Sequence, residues 1–103
     1  MLQNLSNYQY LASRIPWGQR VTAEKLTRIE FGETLVKQLT NLKQVRVRDY
    51  DGSAKIEVDK KMISVFDDDI MNQLNQKLKI IGFTSVEIDK EGYKPGKINV
   101  IPN

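Results

Sequence analysis

The stretch Lys43–Asp59, KQVRVRDYDGSAKIEVD, decides how the chain is organised. Val45 and Val47 alternate with Gln44, Arg46 and Arg48, and Ala54, Ile56 and Val58 alternate with Lys55 and Glu57. A period of two over two such runs predicts a β-hairpin whose turn is formed by Asp49 to Ser53, with Asp51-Gly52 inside it. Matching the apolar faces sets Val47 opposite Ile56, Val45 opposite Val58 and Arg46 opposite Glu57. A slip by two residues would keep the faces and change the partners.

Helical patterns flank the hairpin. From Val21 to Asn41 a stripe of Leu26, Ile29, Val36 and Leu39 recurs at helical spacing, with Phe31 and Leu35 widening it. Thr22 suits the N-cap, Glu24 the first turn, and Val21 with Leu26 a hydrophobic staple. Gly32 falls on the stripe, where it would admit a neighbour closely at a cost of up to about 1 kcal/mol in helix propensity. A second helix is expected from about Ser64 to Ile81, through Phe66, Ile70, Leu74 and Leu78, with Gly82 as its C-terminal cap. A third strand follows in FTSVEID, with Val86 and Ile88 inward. The order helix, strand, strand, helix, strand predicts an α+β fold, an αββαβ two-layer sandwich with helices on one face of a small sheet.

Composition narrows the chemistry. The 103 residues suffice for one domain, and 40% hydrophobic with 28% charged residues is a globular balance. No apolar run approaches the roughly 20 residues that span a bilayer, and the first residues lack a signal-peptide pattern. A cytoplasmic location is therefore expected, with no membrane partner. Cysteine and histidine are both absent, which excludes thiol nucleophiles, disulfides, zinc-finger spacings and Ser-His-Asp catalysis. The net charge of +3 permits an anionic ligand and is far from the clustering that marks nucleic-acid binding.

Arg46 and Arg48 share one strand face about 7 Å apart, with Lys55 and Glu57 on the adjoining strand. Two guanidinium forks at that spacing can hold adjacent oxygens of a phosphate or carboxylate. The same residues also suit a solvated outer face with an Arg46–Glu57 pair worth under about 1 kcal/mol. Asp67, Asp68 and Asp69 point in different directions at consecutive helical positions, so helix capping explains them better than a metal. Trp17 after Pro16 is read as a clamp holding its loop on the core rather than as a base-stacking platform. Tyr93 carries the same two readings, and Lys94 and Lys97 add charge near the tail.

Three segments, LASRIPWGQRVTAEKLTRIE, VRVRDYDGSAKIEV and GFTSVEIDKEGYKPGKIN, together resemble the carboxy-terminal domain of LarE-type ATP-dependent sacrificial sulfur transferases. That family's pattern runs as Cys-Leu-Ala-Ser-Arg-Ile-Pro-Tyr-Gly, a Val-Arg-Val-Arg strand, an Ala-Arg-Ile-Glu-Val strand and a late Gly-Tyr-Arg-x-Gly. The resemblance covers Leu11 to Asn99 in order and spacing. It implies that residues 1–20 are a loop segment leading in from an amino-terminal domain absent from this chain, and that 21–103 form a single α+β domain.

It further implies an oligomerisation and substrate-phosphate-binding role in making the nickel-pincer nucleotide cofactor, with Ser13, Arg14, Arg46 and Arg48 on the phosphate and Glu57 near the site. Expected partners are a second copy of the chain, a PP-loop ATP-binding domain in cis or trans, and a small anionic nucleotide. Nucleic acid is not an expected partner. ATP and Mg would belong to the PP-loop domain, leaving no cofactor in this chain.

Tyr10 stands where the family has its sulfur-donating cysteine, and the Ser-Gly-Gly-x-Asp-Ser phosphate loop is missing, so the chain alone is not expected to be an enzyme. Lys55 and Lys94 replace arginines of the family pattern, keeping charge and losing the fork. The competing readings are a KH-like RNA-binding module, which would need a Gly-x-x-Gly loop that this chain lacks, and a purely structural dimerisation domain.

Overall fold

The computed structural model describes residues 11–93. Tyr10, Lys94 and Lys97, and the expectations attached to them, lie outside that range. Helix α1 runs Ala23–Thr40, strand β1 Arg46–Tyr50, strand β2 Ser53–Glu57, a 3-10 helix Lys60–Val65, helix α2 Asp68–Ile81 and strand β3 Ser85–Ile88. The strands form one sheet in the order β1-β2-β3, with β1 antiparallel and β3 parallel to β2. Parallel neighbours need a long crossover, and α2 supplies it. The expected α+β sandwich is the observed architecture.

Helix α1 starts where its cap dictates. Thr22 has extended backbone, and its hydroxyl accepts from the Lys25 N–H at 3.1 Å. The helix ends at Asn41, in the left-handed region at φ 62°, whose N–H returns to the Lys37 carbonyl. Leu26, Ile29, Gly32 and Val36 form its buried stripe. A Cβ on Gly32 would sit 3.3 Å from Phe83 and 3.5 Å from Leu78, so the glycine does admit close neighbours. Phe31 does not widen the stripe: it is 58% exposed, because it lies on the far side of the helix from the sheet.

The hairpin register is the one matched from the apolar faces, with Arg46 opposite Glu57 and Val47 opposite Ile56. Its turn is tighter than Asp49 to Ser53. Asp49 pairs with Ala54 and Tyr50 with Ser53, leaving only Asp51 and Gly52 to turn, at φ 52° and 104°. Two successive positive φ values match the right-handed twist of the flanking strands.

The second helix begins at Asp68 rather than Ser64. Asp67 adopts extended backbone and accepts from the Ile70 N–H at 2.9 Å, so a strong N-cap cuts the apolar period there. The preceding Lys60–Val65 winds as a 3-10 helix, and Ile63 and Phe66 still pack on the core. The α2 residues Leu74 and Leu78 are fully buried against Val36, Val47, Ile56 and Val58. Gly82 closes α2 at φ 130°, its N–H reaching the Leu78 and Lys79 carbonyls. Val86 and Ile88 of β3 pack against the same core.

Residues 11–20 are built into the domain. Leu11 and Ile15 are buried against Leu26 and Ile29. Trp17 is 77% exposed rather than buried on the core as a clamp would be; Leu11 and Ile15 are the buried residues of the segment.

Candidate functional site: the outer face of the hairpin

Strand β1 is an edge strand, so alternate N–H groups point away from β2. These are the groups of Val47 and Asp49. The Val47 N–H donates to Glu33 Oε2 at 3.0 Å, and the Asp49 N–H to the Arg14 carbonyl at 2.9 Å. A helix side chain and a loop backbone thus complete the edge.

Arg14 lies beside this edge, only 3% exposed. Its Nε donates to Glu33 Oε2 at 2.7 Å and its Nη1 to Ser13 Oγ at 3.1 Å. Glu33 therefore ties α1, the amino-terminal segment and β1 together in one carboxylate. Ser13 and Arg14 are adjacent here, with the Ser13 hydroxyl accepting from the guanidinium.

On the sheet face turned away from the helices, Arg46 and Arg48 project from β1, and Lys55 and Glu57 from β2. Glu57 is 1% exposed and Arg48 8%, so this is not a solvated face. Glu57 stands opposite Arg46 in the register and acts on its charge, and its Oε2 also lies 3.8 Å from the Arg48 Nε, diagonal to the register. Long side chains reach diagonal neighbours across a sheet, so register alone does not reveal the added contact to Arg48. At 3.8 Å the pair is a charge contact rather than a hydrogen bond. The buried Arg48 Nε and Nη1 have no hydrogen-bond partner among the described residues.

Arg46 stacks its guanidinium 4.7 Å from the centre of the Tyr93 ring and points Nη2 at the Tyr93 hydroxyl at 3.4 Å. Gly92 makes that placement possible. At φ 77° a Cβ would lie 2.9 Å from the Lys60 nitrogen, so only glycine lets the chain pass and the Tyr93 N–H reach the Val58 carbonyl at 2.7 Å. The Gly-Tyr pair is thus a device that sets an aromatic ring over Arg46.

Arg14, Gln44, Val45, Arg46, Glu57 and Tyr93 line a small cavity of about 50 Å³. Burial pushes the Arg46 pKa below the usual arginine value, and the positive charges of Arg14 and Arg48 add to this; Tyr93 and Glu57 act the other way. The guanidinium stays protonated. The direction nevertheless says that cationic charge is disfavoured here, and a bound anion would relieve it.

The expected site residues therefore fall into a group. Arg14, Arg46 and Glu57 line one cavity, Arg48 adjoins it through Glu57, and Ser13 touches it through Arg14. Sequence reasoning missed Glu33 and Gln44. Glu33 left a readable signal: it sits between Ile29 and Val36 on the buried stripe, where a charge needs a partner.

It also missed a second polar cluster on the other side of β1. Asp49 is fully buried and accepts from the Arg28 Nε at 2.5 Å, the Arg28 Nη2 at 3.1 Å and the Gly52 N–H at 2.7 Å. The hydrogen bond to Asp49 is the main cause that raises the Arg28 pKa above its ordinary value. Close by, the Lys25 Nζ donates to the Arg20 carbonyl at 2.8 Å and lies 3.4 Å from Asp51.

No protein-family model matches the chain. Among individual proteins, 90 residues align at 39% identity with a protein of Synechocystis sp. (strain ATCC 27184 / PCC 6803 / Kazusa) called uncharacterized protein slr1717, covering 86% of this chain and 33% of that one. A second alignment, over 92 residues at 29% identity, is with the pyridinium-3,5-bisthiocarboxylic acid mononucleotide synthase of Lactiplantibacillus plantarum, covering 86% of this chain and 32% of the synthase. The chain spans about a third of the length of these curated relatives. No helix among the described residues is long and apolar enough to cross a membrane. The resemblance to LarE-type enzymes thus extends to a distant, partial match with a synthase that makes a pyridinium mononucleotide.

Proposed function

We propose that this chain serves a LarE-like sulfur transferase as a domain that binds the phosphate of a small pyridinium mononucleotide. The observation that carries the reading is the pairing of Arg48, buried with two donors unpartnered among the described residues, with Arg46, whose charge is disfavoured where it stands. Both arginines project from one strand face, as a bidentate phosphate site requires. Arg14 adds positive charge from the edge, Ser13 contacts it, and Glu57 lines the cavity together with Arg14 and Arg46.

Phosphate oxygens would take the two donors of Arg48 and share Arg46 with Tyr93. The sequence supplies no sulfur donor, since it has no cysteine, and ATP chemistry falls to a PP-loop domain acting in cis or trans. A second copy of the chain is the other partner that the resemblance suggests. The role in this reading is to hold and orient the nucleotide, not to transform it.

The test is a backbone-amide NMR titration with nicotinic acid mononucleotide. The expected result is saturable shifts centred on Arg14, Val45 to Arg48, Glu57 and Tyr93. They should weaken at least about tenfold in an Arg48→Met variant, the order expected for losing charge-assisted hydrogen bonds. Shifts centred instead on Lys25, Arg28 and Asp51, or no shifts at all, would overturn the reading.

A further inference from the structure

The cavity that gathers Arg14 and Arg46 also has Glu57 in its wall. Glu57 lines it directly, at 1% exposure, with its Oε2 3.8 Å from the Arg48 Nε. A purely cationic pocket would take any oxyanion of suitable size. A pocket with a buried carboxylate in its wall cannot, because two acceptor oxygens at hydrogen-bond distance repel unless a proton lies between them.

We infer that the site takes a phosphate group carrying one proton, donated to the Glu57 carboxylate, and that Glu57 thereby selects phosphate over sulfate. The inference rests on the phosphate reading above and adds to it the protonation state of the ligand and the residue that enforces it. A carboxylate has about four lone-pair sites, so this acceptance is compatible with the contacts that Glu57 makes within the chain.

The charged and titratable groups around Glu57 come from each neighbouring element. Arg14 shares the cavity with it from the amino-terminal segment, Arg46 and Arg48 adjoin it from β1 and Tyr93 from the carboxy-terminal side; Lys55 of β2 holds its Nζ over the Tyr50 ring instead, and Glu33 of α1 is turned to Arg14. The cations hold the ionised phosphate oxygens, and the one protonated oxygen is left for Glu57. A sulfate ion, fully ionised in neutral water, has no proton to offer. Inorganic phosphate keeps one throughout the neutral range. A phosphate monoester loses its last proton near pH 6, so above that pH its binding must take up a proton from solvent.

The experiment uses the chain as it is, with inorganic phosphate, sulfate and methyl phosphate as probes. Amide NMR titrations should give phosphate at least about tenfold tighter binding than sulfate, the size of a charge-assisted hydrogen bond made or lost. Calorimetry at pH 8 in two buffers of different ionisation enthalpy should show about one proton taken up with methyl phosphate and none with inorganic phosphate. In Glu57→Gln the side-chain amide can donate to a fully ionised oxygen, so sulfate binding should rise toward that of phosphate.

Equal binding of phosphate and sulfate to the unaltered chain overturns this inference while leaving the phosphate reading in place. So does methyl phosphate binding without proton uptake. Binding of neither phosphate nor the ester removes the phosphate reading and this inference with it. The comparison of two ions on the unaltered chain decides the matter even if the Gln variant fails to fold.

Discussion

Strand β1 has arginines on both sides, and they are held in opposite ways. On the helix side, Arg28 meets Asp49 through two hydrogen bonds, and Asp49 also accepts from the Gly52 N–H in the hairpin turn. Every polar group in that cluster works on another part of the same chain, so it reads as a clip between α1 and the turn. On the outer side, Arg48 meets the buried Glu57 through a charge contact alone at its Nε, and neither that atom nor Nη1 has a hydrogen-bond partner among the described residues. A fold gains nothing from a buried guanidinium left in that state. The contrast separates an arginine whose donors are matched within the chain from one that, under the proposed reading, would keep its donors for a ligand.

The largest effect should come from breaking the clip. Asp49→Ala leaves Arg28 and the Gly52 N–H without their acceptor, and we expect a loss of about 3 kcal/mol in denaturant unfolding. Residual folded protein should bind the mononucleotide normally. A loss under about 1 kcal/mol would erase the contrast between the two sides.

Gly92→Ala comes next. The strained φ and the 2.9 Å approach to Lys60 should cost about 1–3 kcal/mol, and the Tyr93 ring should leave Arg46. A lower unfolding midpoint together with weaker mononucleotide binding is the expected pair of results.

The smallest change in stability should follow Arg46→Met. The charge of Arg46 is already disfavoured in the folded state, so an apolar chain of similar length should leave stability within about 1 kcal/mol. Mononucleotide affinity should nevertheless fall at least about tenfold in a titration. A large loss of stability would place Arg46 with Arg28 instead.

Much of the fold is legible in the amino-acid sequence. Alternation fixes the faces of the hairpin, because a one-residue slip would turn Val47 and Ile56 outward, and the Asp51-Gly52 turn selects the register among those that keep the faces. Gly32 and Gly82 follow from where a side chain cannot go or a helix must stop. The start of α2 is misplaced by periodicity because Ile63, Phe66 and Ile70 keep a helical spacing through a 3-10 turn, and spacing does not register a change of winding. Trp17 misleads because a large apolar residue after proline says nothing of which way the loop turns it.

The site is legible only in part. Arg46, Arg48 and Glu57 lie close in strand register, so alternation alone brings them together. Arg14 and Glu33 meet across 19 residues, and Arg46 and Tyr93 across 47, and no local pattern encodes such contacts. The diagonal Arg48–Glu57 contact depends on side-chain reach, which strand pairing does not specify.

The closure of β1 by Glu33 and the Arg14 carbonyl has a consequence for assembly. An uncovered edge strand is an adhesive surface, ready to recruit a foreign strand and seed aggregation. Here the outward N–H groups of Val47 and Asp49 are occupied from within, so the sheet has a finished border on the arginine-bearing strand. Another chain's strand would meet no bare N–H at Val47 or Asp49.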